Sequence, residues 1–172
     1  MDIAALLNDK TTKPKEKTET LSKQLLDGTL SADTLTAFAE TAKDSPKATC
    51  IEALEFASKQ NAKVVNRKTF AFVTQALKSK APRVKWESAK VIGNTAAGFS
   101  AELENAITNL LDNTEHEGTV VRWSAAFALG EIVKLKTKHN KDLVPAVEAI
   151  CKREEKNSIR KIYLDALKKM SK

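Results

Sequence analysis

The chain has 172 residues, 42% hydrophobic and 30% charged, so it is long enough for a hydrophobic core and too apolar for wholesale disorder. Only 5 Gly and 4 Pro occur and 5% of the residues are aromatic, which disfavours a sheet protein and favours an all-α fold. The net charge of +7 is uneven, since residues 1–60 hold 8 basic and 10 acidic side chains whereas residues 61–172 hold 21 and 12. A basic surface attracts nucleic acids, acidic proteins or anionic lipids, but Lys is also an ordinary helix former.

Neither a membrane span nor a signal peptide is visible in the sequence. No apolar run approaches the roughly 20 residues that cross a bilayer, and the N-terminus lacks a basic start followed by a long apolar stretch. We therefore expect a cytoplasmic protein that does not bind membranes. Cys50 and Cys151 lack the close spacing of a zinc site or a CxxC redox motif, so we expect two buried, reduced thiols.

The predicted helices begin with two segments, 3–7 and 16–26, which can form a degenerate capping repeat over residues 1–30. After them, amphipathic helices predicted at 33–43, 66–79, 101–112 and 142–154 each precede a second helical segment. Ser31 and Ser100 are predicted N-caps, and Pro145 is expected in the first turn of its helix, where its missing N–H costs nothing.

The second segment of each pair repeats along the chain. Aligned without gaps, Ala48, Val84, Val121 and Ile159 are equivalent, so successive units are 36, 37 and 38 residues apart. Apolar residues at i, i+5 and i+8 of each unit form one broad helix face that is predicted to be buried, Leu164 being the i+5 position of the last unit. We predict a single domain of four helical hairpins, at residues 31–60, 64–97, 100–136 and 140–172.

Residues 121–132, VRWSAAFALGEI, resemble the second helix of a HEAT repeat, in the Val-Arg-x-x-Ala-x-x-Ala-Leu-Gly form of the phycobilisome-lyase-like subset. Residues 84–93 are a good second match, and the units around Cys50 and Ile162 keep only the apolar pattern. The resemblance covers roughly residues 31–172. It implies a right-handed α-solenoid (superhelix) of antiparallel hairpins, whose second helices line a concave surface used mostly for binding and seldom for catalysis.

Catalytic motifs are missing from the sequence, which contains no phosphate-binding glycine loop, metal-ligand spacing or nucleophile elbow. The two histidines, His116 and His139, fall in predicted loops without a nucleophile nearby, so we expect solvated residues rather than general bases. HEAT-like repeats also occur in glycosylases that remove alkylated purines, which place a catalytic Asp near their aromatic residues. Here Lys90 and Phe127 follow the two tryptophans by one turn, so we expect neither an enzyme nor a cofactor.

Basic and aromatic residues recur at matching positions of successive repeats and are the candidate binding residues. The predicted partner-binding residues are Lys85, Trp86, Lys90, Arg122, Trp123, Phe127 and Arg160. The tryptophans would anchor a partner, and the cations would supply steering and hydrogen bonds. The structural alternatives stay open, because the basic residue after Val belongs to the HEAT-like pattern itself and Trp can fill the space between repeats.

The predicted function is that of a monomeric, non-enzymatic module that binds another protein, an acidic one being an option, through the surface of its second helices. The alternative is DNA or RNA binding by a basic surface in residues 61–172, through Lys85, Arg122, Arg160 and the basic edge at residues 134–141. That edge follows a first group of basic residues at 59–68 and an uncharged gap at 97–100. Salt dependence separates the two functions, because phosphate contacts release counterions.

Overall fold

The structure is a computed structural model that describes residues 2–172, which form helices and turns and no strands. Its ten α-helices are α1 (Ile3–Asn8), α2 (Pro14–Asp27), α3 (Ala32–Thr41), α4 (Asp44–Gln60), α5 (Arg67–Ala76), α6 (Pro82–Thr95), α7 (Leu103–Asn113), α8 (Thr119–Lys134), α9 (Asn140–Arg153) and α10 (Asn157–Met170). Three short 3-10 helices lie in the links, at Ala62–Val64, Ala96–Gly98 and Ser100–Glu102. Across the described residues, none of the helices combines the length and apolarity that crossing a bilayer requires.

The helices are arranged in two layers. The even-numbered helices from α2 to α10 form one layer, in which each helix packs against the next. The odd-numbered helices α3, α5, α7 and α9 lie on one side of that layer, each against the even helix that follows it. The prediction of an all-α solenoid of helical hairpins is confirmed. The opposite side of α2, α4, α6, α8 and α10 carries their solvent-exposed side chains, and we call it the open face.

The core lies between the two layers and along the seams between successive even helices. Ala48, Val84, Val121 and Ile159, which the repeat alignment equates, are all buried. Leu164 is an exception to the predicted core, because its side chain is 51% exposed whereas Tyr163, the residue before it, is buried. An even helix inside the stack has an even neighbour on both sides. Within the described chain no helix covers the far side of α10, and Leu164 lies there.

The helix boundaries agree only in part with the predicted caps. The Oγ of Ser31 accepts a hydrogen bond from the Thr34 N–H (3.1 Å), as expected of an N-cap. The prediction for Ser100 is wrong, because this residue lies in a 3-10 helix and α7 begins only at Leu103. The prediction for Pro145 is also wrong: α9 begins at Asn140, so the proline lies inside the helix and leaves one carbonyl of the preceding turn without its helical partner.

The two cysteines are buried and unpaired, as predicted. Burial raises the pKa of the Cys50 thiol to about 12. A thiol with so high a pKa carries almost no thiolate at neutral pH, and the thiolate is the reactive form. Cys50 is therefore a packing residue of the core.

Candidate binding surface

The seven sequence-predicted site residues divide into two groups. Three of the cations hydrogen-bond to backbone or side-chain acceptors of the protein itself; these are Lys85, Arg122 and Arg160. The other four lie half-buried or exposed on the open face; these are Trp86, Lys90, Trp123 and Phe127. The structure thus separates residues that the sequence pattern had placed together.

Lys85, in the first turn of α6, joins the ends of three helices. Its Nζ donates to the carbonyl of Leu77 (3.1 Å), just after α5, and to Oδ1 of Asn113 (2.8 Å), the last residue of α7. The Nδ2 of Asn113, a buried residue, donates to the same Leu77 carbonyl (3.2 Å). Burial lowers the pKa of Lys85, and the nearby Asp112 carboxylate opposes this effect. These contacts link one hairpin to the next.

Arg122, the equivalent residue of α8, has the same role in the following repeat. Its Nη1 donates to the carbonyls of His116 and Glu117 (3.0 Å each), in the turn that precedes α8. Its Nε and Nη2 donate to the two carboxylate oxygens of Glu154 (3.1 and 3.4 Å), at the end of α9. Burial alone would raise the pKa of Glu154, but hydrogen bonds from Arg122 and from the Lys156 N–H outweigh it and hold this pKa below its ordinary value.

Arg160 repeats the contact with its own hairpin turn. Its Nε and Nη2 both donate to the carbonyl of Glu154 (3.1 and 2.6 Å). In all three repeats, therefore, the basic residue that follows the first core residue of the second helix binds a carbonyl at the turn of the hairpin. This supports the structural alternative for Lys85, Arg122 and Arg160, and it leaves these cations poorly placed to bind a partner.

A surface of aromatic, aliphatic and basic side chains lies on the open face where α6 and α8 pack together. On each helix its residues are spaced by three or four positions and so share one side. We call it the tryptophan patch, and its residues are Trp86, Lys90, Val120, Trp123 and Phe127. Val120 is 48% exposed and Trp123 is 39% exposed, two of three large hydrophobic residues that are clearly exposed in residues 2–172.

The tryptophan patch depends on a glycine, Gly93, where α6 and α8 come close together. A Cβ atom placed on Gly93 of α6 would lie 2.8 Å from Cδ2 of Phe127 and closer still to Cε2, so the ring occupies the space of the missing side chain. The indole of Trp123 stacks on that ring, with 6.1 Å between ring centroids and 10° between planes. Trp123 is therefore held on the surface by Phe127, and Phe127 by the seam between α6 and α8.

Trp86 is oriented by Glu87, a residue that the sequence reasoning missed. The indole Nε1 of Trp86 donates to Oε1 of Glu87 (2.8 Å), and the Lys90 Nζ lies 3.7 Å from the same oxygen. Glu87 is only 3% exposed, and its Oε2 has no hydrogen-bond partner. Burial raises the pKa of Glu87, and the charge of Lys90 opposes this effect. The signal in the sequence was a charged residue at the position that Ile51 occupies in the preceding repeat.

Charges of both signs alternate around the tryptophan patch. On α4, Glu52 pairs with Arg83 of α6 (3.2 Å), and Lys90 is close enough to Glu55 to oppose the rise in pKa that burial causes in that carboxyl group. Glu131 of α8 pairs with Lys134. Close to the tryptophan patch, the charges are thus paired with charges of the opposite sign, although the whole chain carries +7.

The two histidines are both half-buried. The Nδ1 of His116 accepts a hydrogen bond from the Gly118 N–H (2.8 Å), which holds the turn before α8. His139 directly precedes α9. Within the described chain, no three His, Cys, Asp or Glu side chains are grouped as a metal site would require.

No protein-family model matches this chain, and no curated protein is similar to it in sequence. Solved structures do match it. A designed armadillo repeat protein in complex with the peptide (KR)4 superimposes with a TM-score of 0.73 at 16% identity, over 98% of this chain and 80% of that one. Computationally designed armadillo repeat proteins for modular peptide recognition give a TM-score of 0.75 at 17% identity, over 97% and 80% of the two chains.

A natural protein matches as well. The complex of CpcE and CpcF of phycocyanin lyase from Nostoc sp. PCC7120 gives a TM-score of 0.70 at 14% identity, over 96% of this chain and 95% of that one. The chain has the fold of an armadillo/HEAT-type α-solenoid. This confirms the HEAT-like resemblance of the sequence, and identities this low carry information on fold alone.

Proposed function

We propose that this solenoid is a non-enzymatic scaffold that binds a protein partner through the tryptophan patch. The observation that supports it most directly is Trp123, an indole that is 39% exposed yet fixed by stacking on Phe127. Rigid, partly exposed aromatic side chains are the residues that most often dominate binding energy at protein interfaces. Neighbouring Val120 and Trp86 extend the apolar area around it.

The partner we propose inserts a large apolar side chain against Trp123 and Val120. Charge is a poor basis for recognition at this point, because Lys90 faces both Glu87 and Glu55 and is thereby balanced. The acidic partner considered from the sequence loses its support for the same reason. Lys90 still brings polar specificity at the rim of the patch, where its ammonium group can bind a carbonyl of the partner.

The structural neighbours support binding as the general role. One of them was solved with a peptide, and another was designed for modular peptide recognition. The phycocyanin lyase neighbour shows that a catalytic protein can share this architecture, so the chemistry must be argued from the residues of this chain. The tryptophan patch offers no nucleophile with an adjacent base, which supports binding without catalysis.

The test is to select peptides from a random phage-displayed library on the wild-type protein and to measure their affinities by fluorescence anisotropy. We expect the selected peptides to share a bulky apolar residue. Trp123→Ala and Phe127→Ala should each weaken their binding at least about tenfold, which corresponds to about 1.4 kcal/mol.

Leu164→Ala is the matched control, because Leu164 is an apolar residue more exposed (51%) than Trp123 (39%) and lies on α10, outside the tryptophan patch. We expect this variant to bind the selected peptides as tightly as the wild type does. Equal losses in Leu164→Ala and Trp123→Ala, or peptides that bind Trp123→Ala without loss, contradict the proposal.

A further inference from the structure

Three helix ends converge at one edge of the solenoid. The Nδ2 of Asn140, which begins α9, donates to the carbonyl of Val133 near the end of α8 (2.8 Å). α10 packs beside α8, and a Cβ on Gly130 would lie 3.2 Å from that of Ala166, so the two helices end at nearly the same level. The C-termini of α8 and α10 and the N-terminus of α9 therefore meet there.

Seven lysines lie at or next to these three helix ends. We call the group the lysine edge, and its members are Lys134, Lys136, Lys138, Lys141, Lys168, Lys169 and Lys172. All are exposed except Lys134, which is half-buried and paired with Glu131. In residues 2–172 none of the other six forms an ion pair within 4.0 Å. Six exposed lysines without an ion-pair partner in the described chain are thus grouped at this edge.

The lysine edge lacks the side chains that anchor proteins or membranes. Val120 and Trp123 begin α8, and fourteen residues of helix place Val120 about 21 Å from Lys134. Residues 134–141 and 168–172, which contain the group, include no Arg, Trp, Tyr or Phe. Protein interfaces depend on such anchors, and membrane-binding segments pair basic residues with bulky apolar ones. Lysines alone are point charges suited to phosphates.

A second, smaller basic group lies along the same edge. Lys59, Lys63 and Lys68 are exposed around the link between α4 and α5, and Arg67 beside them is paired with Glu102 (2.9 Å). α4 and α8 are separated by α6, so the two basic groups are about 20 Å apart at the usual spacing of packed helices. This arrangement gives a phosphate backbone two contact points on one side of the protein.

We propose that the lysine edge binds the phosphate backbone of duplex nucleic acid without regard to sequence. A duplex is favoured over a single strand because proteins that hold single strands stack the bases on aromatic side chains, and the lysine edge has none. The contact uses the edge, whereas the proposed protein partner uses the open face. The two functions are therefore independent, and one chain can bind both ligands together.

The test is a titration of a labelled 20-base-pair DNA duplex by fluorescence anisotropy at 50 and 200 mM salt, with the matching RNA duplex and single strands alongside. If about four phosphates are neutralised, affinity should fall on the order of a hundredfold between the two salt concentrations. The variant Lys136→Gln, Lys138→Gln, Lys141→Gln and Lys169→Gln should bind at least about tenfold more weakly at low salt and respond less steeply to salt.

A control variant removes the same charge elsewhere. Lys10, Lys15, Lys23 and Lys43 are exposed lysines of the first four helices and their links, and changing them to Gln gives the same net charge. We expect this variant and Trp123→Ala to bind the duplex nearly as well as the wild type. The proposal is overturned by no duplex binding at 50 mM salt, by equal losses in both lysine variants, or by preference for single strands, polyglutamate or anionic vesicles.

Discussion

The ring of Phe127 on α8 lies in the space that a side chain at Gly93 of α6 would occupy. This close approach brings the two helices together and supports the indole of Trp123 on the open face. A glycine inside a helix lowers helix stability by about 1 kcal/mol relative to alanine. At position 93 the lower helix stability comes with the space that the Phe127 ring occupies. The proposed binding surface depends on the position of that ring.

We expect Gly93→Ala to destabilise the protein by about 1 kcal/mol, because forcing the ring aside costs more than the gain in helix propensity. Chemical denaturation measures this change. Gly98→Ala is the control, since a Cβ there meets nothing within 4 Å. In the double variant Gly93→Ala, Phe127→Ala, the new Cβ at position 93 should no longer clash with a ring at position 127. A Gly93→Ala protein that is more stable than the wild type would show that the ring moves away at no cost.

The two tryptophans should differ in accessibility to a quencher. Trp86→Phe leaves Trp123, which is 39% exposed, and Trp123→Phe leaves Trp86, which is half-buried and bonded to Glu87. We expect acrylamide to quench the fluorescence of Trp86→Phe more strongly than that of Trp123→Phe. Equal quenching constants in the two variants would mean that Trp123 is packed between repeats rather than presented on the surface.

Loss of Arg122 should strongly destabilise the protein. We expect Arg122→Ala to lower the free energy of unfolding at pH 7 by about 2–4 kcal/mol, because it leaves the buried Glu154 carboxylate without its ion-pair partner and with the Lys156 N–H as its remaining hydrogen-bond donor. Arg67→Ala is the control. It breaks an ion pair of similar length (2.9 Å), but the Arg67 side chain is 81% exposed, so we expect a change under about 1 kcal/mol. Similar losses in both variants would contradict a special role for Arg122.

The ion pair between Arg122 and Glu154 should also make the stability of the fold depend on pH. The pKa of Glu154 is lowered in the folded protein, so the carboxylate stabilises the fold above its ordinary pKa of 4.5 and this stabilisation is lost as the pH falls towards the folded-state pKa. We therefore expect the difference in unfolding free energy between the wild type and Arg122→Ala to shrink below pH 4.5. Denaturation curves at a series of pH values test this, and a constant difference would contradict it.

Ionisation of Glu87 should change the stability of the fold in the opposite direction to ionisation of Glu154. Burial raises its pKa, so ionisation of Glu87 destabilises the fold at neutral pH and protonation relieves the effect as the pH falls through the folded-state pKa. Glu87→Gln keeps an acceptor for the Trp86 indole and removes the charge. We expect this variant to be more stable than the wild type at pH 7 and to lose its advantage below pH 4.5. A less stable variant at pH 7 would mean that the pair with Lys90 outweighs burial.

Most of the fold was predictable from the pattern of apolar residues. A period of 36 to 38 residues is long enough for two helices, and the first apolar position of each second helix, from Ala48 to Ile159, is buried. Leu164 departed from the pattern because burial inside a stack needs a neighbour on each side. Pro145 departed from it because α9 starts two residues earlier than the apolar pattern indicated.

The placement of the seven candidate binding residues was predictable only in part. Trp86, Lys90, Trp123 and Phe127 lie on the open face, whereas Lys85, Arg122 and Arg160 bind the hairpin turns. Sequence spacing could not separate these groups, because a basic side chain at the start of a helix can reach either solvent or the preceding turn. The choice depends on acceptors whose positions are set by the fold. The Leu77 carbonyl comes close to Lys85 when their own hairpin turns, and the Glu154 carboxylate comes close to Arg122 when neighbouring hairpins pack together.

The sequence by itself determined the class and the repeat, because helix periodicity and the burial of apolar residues are local properties that recur in each unit. The tertiary structure alone decided which charges are internal and which are free, because the hairpin turns and the neighbouring hairpins place acceptors within reach of some cations and not of others. It also decided that Phe127 lies over Gly93 and that three lysine-bearing helix ends meet at one edge. The contacts of Phe127 with Gly93 and of Arg122 with Glu154 join residues about 30 or more positions apart, and no local pattern records them.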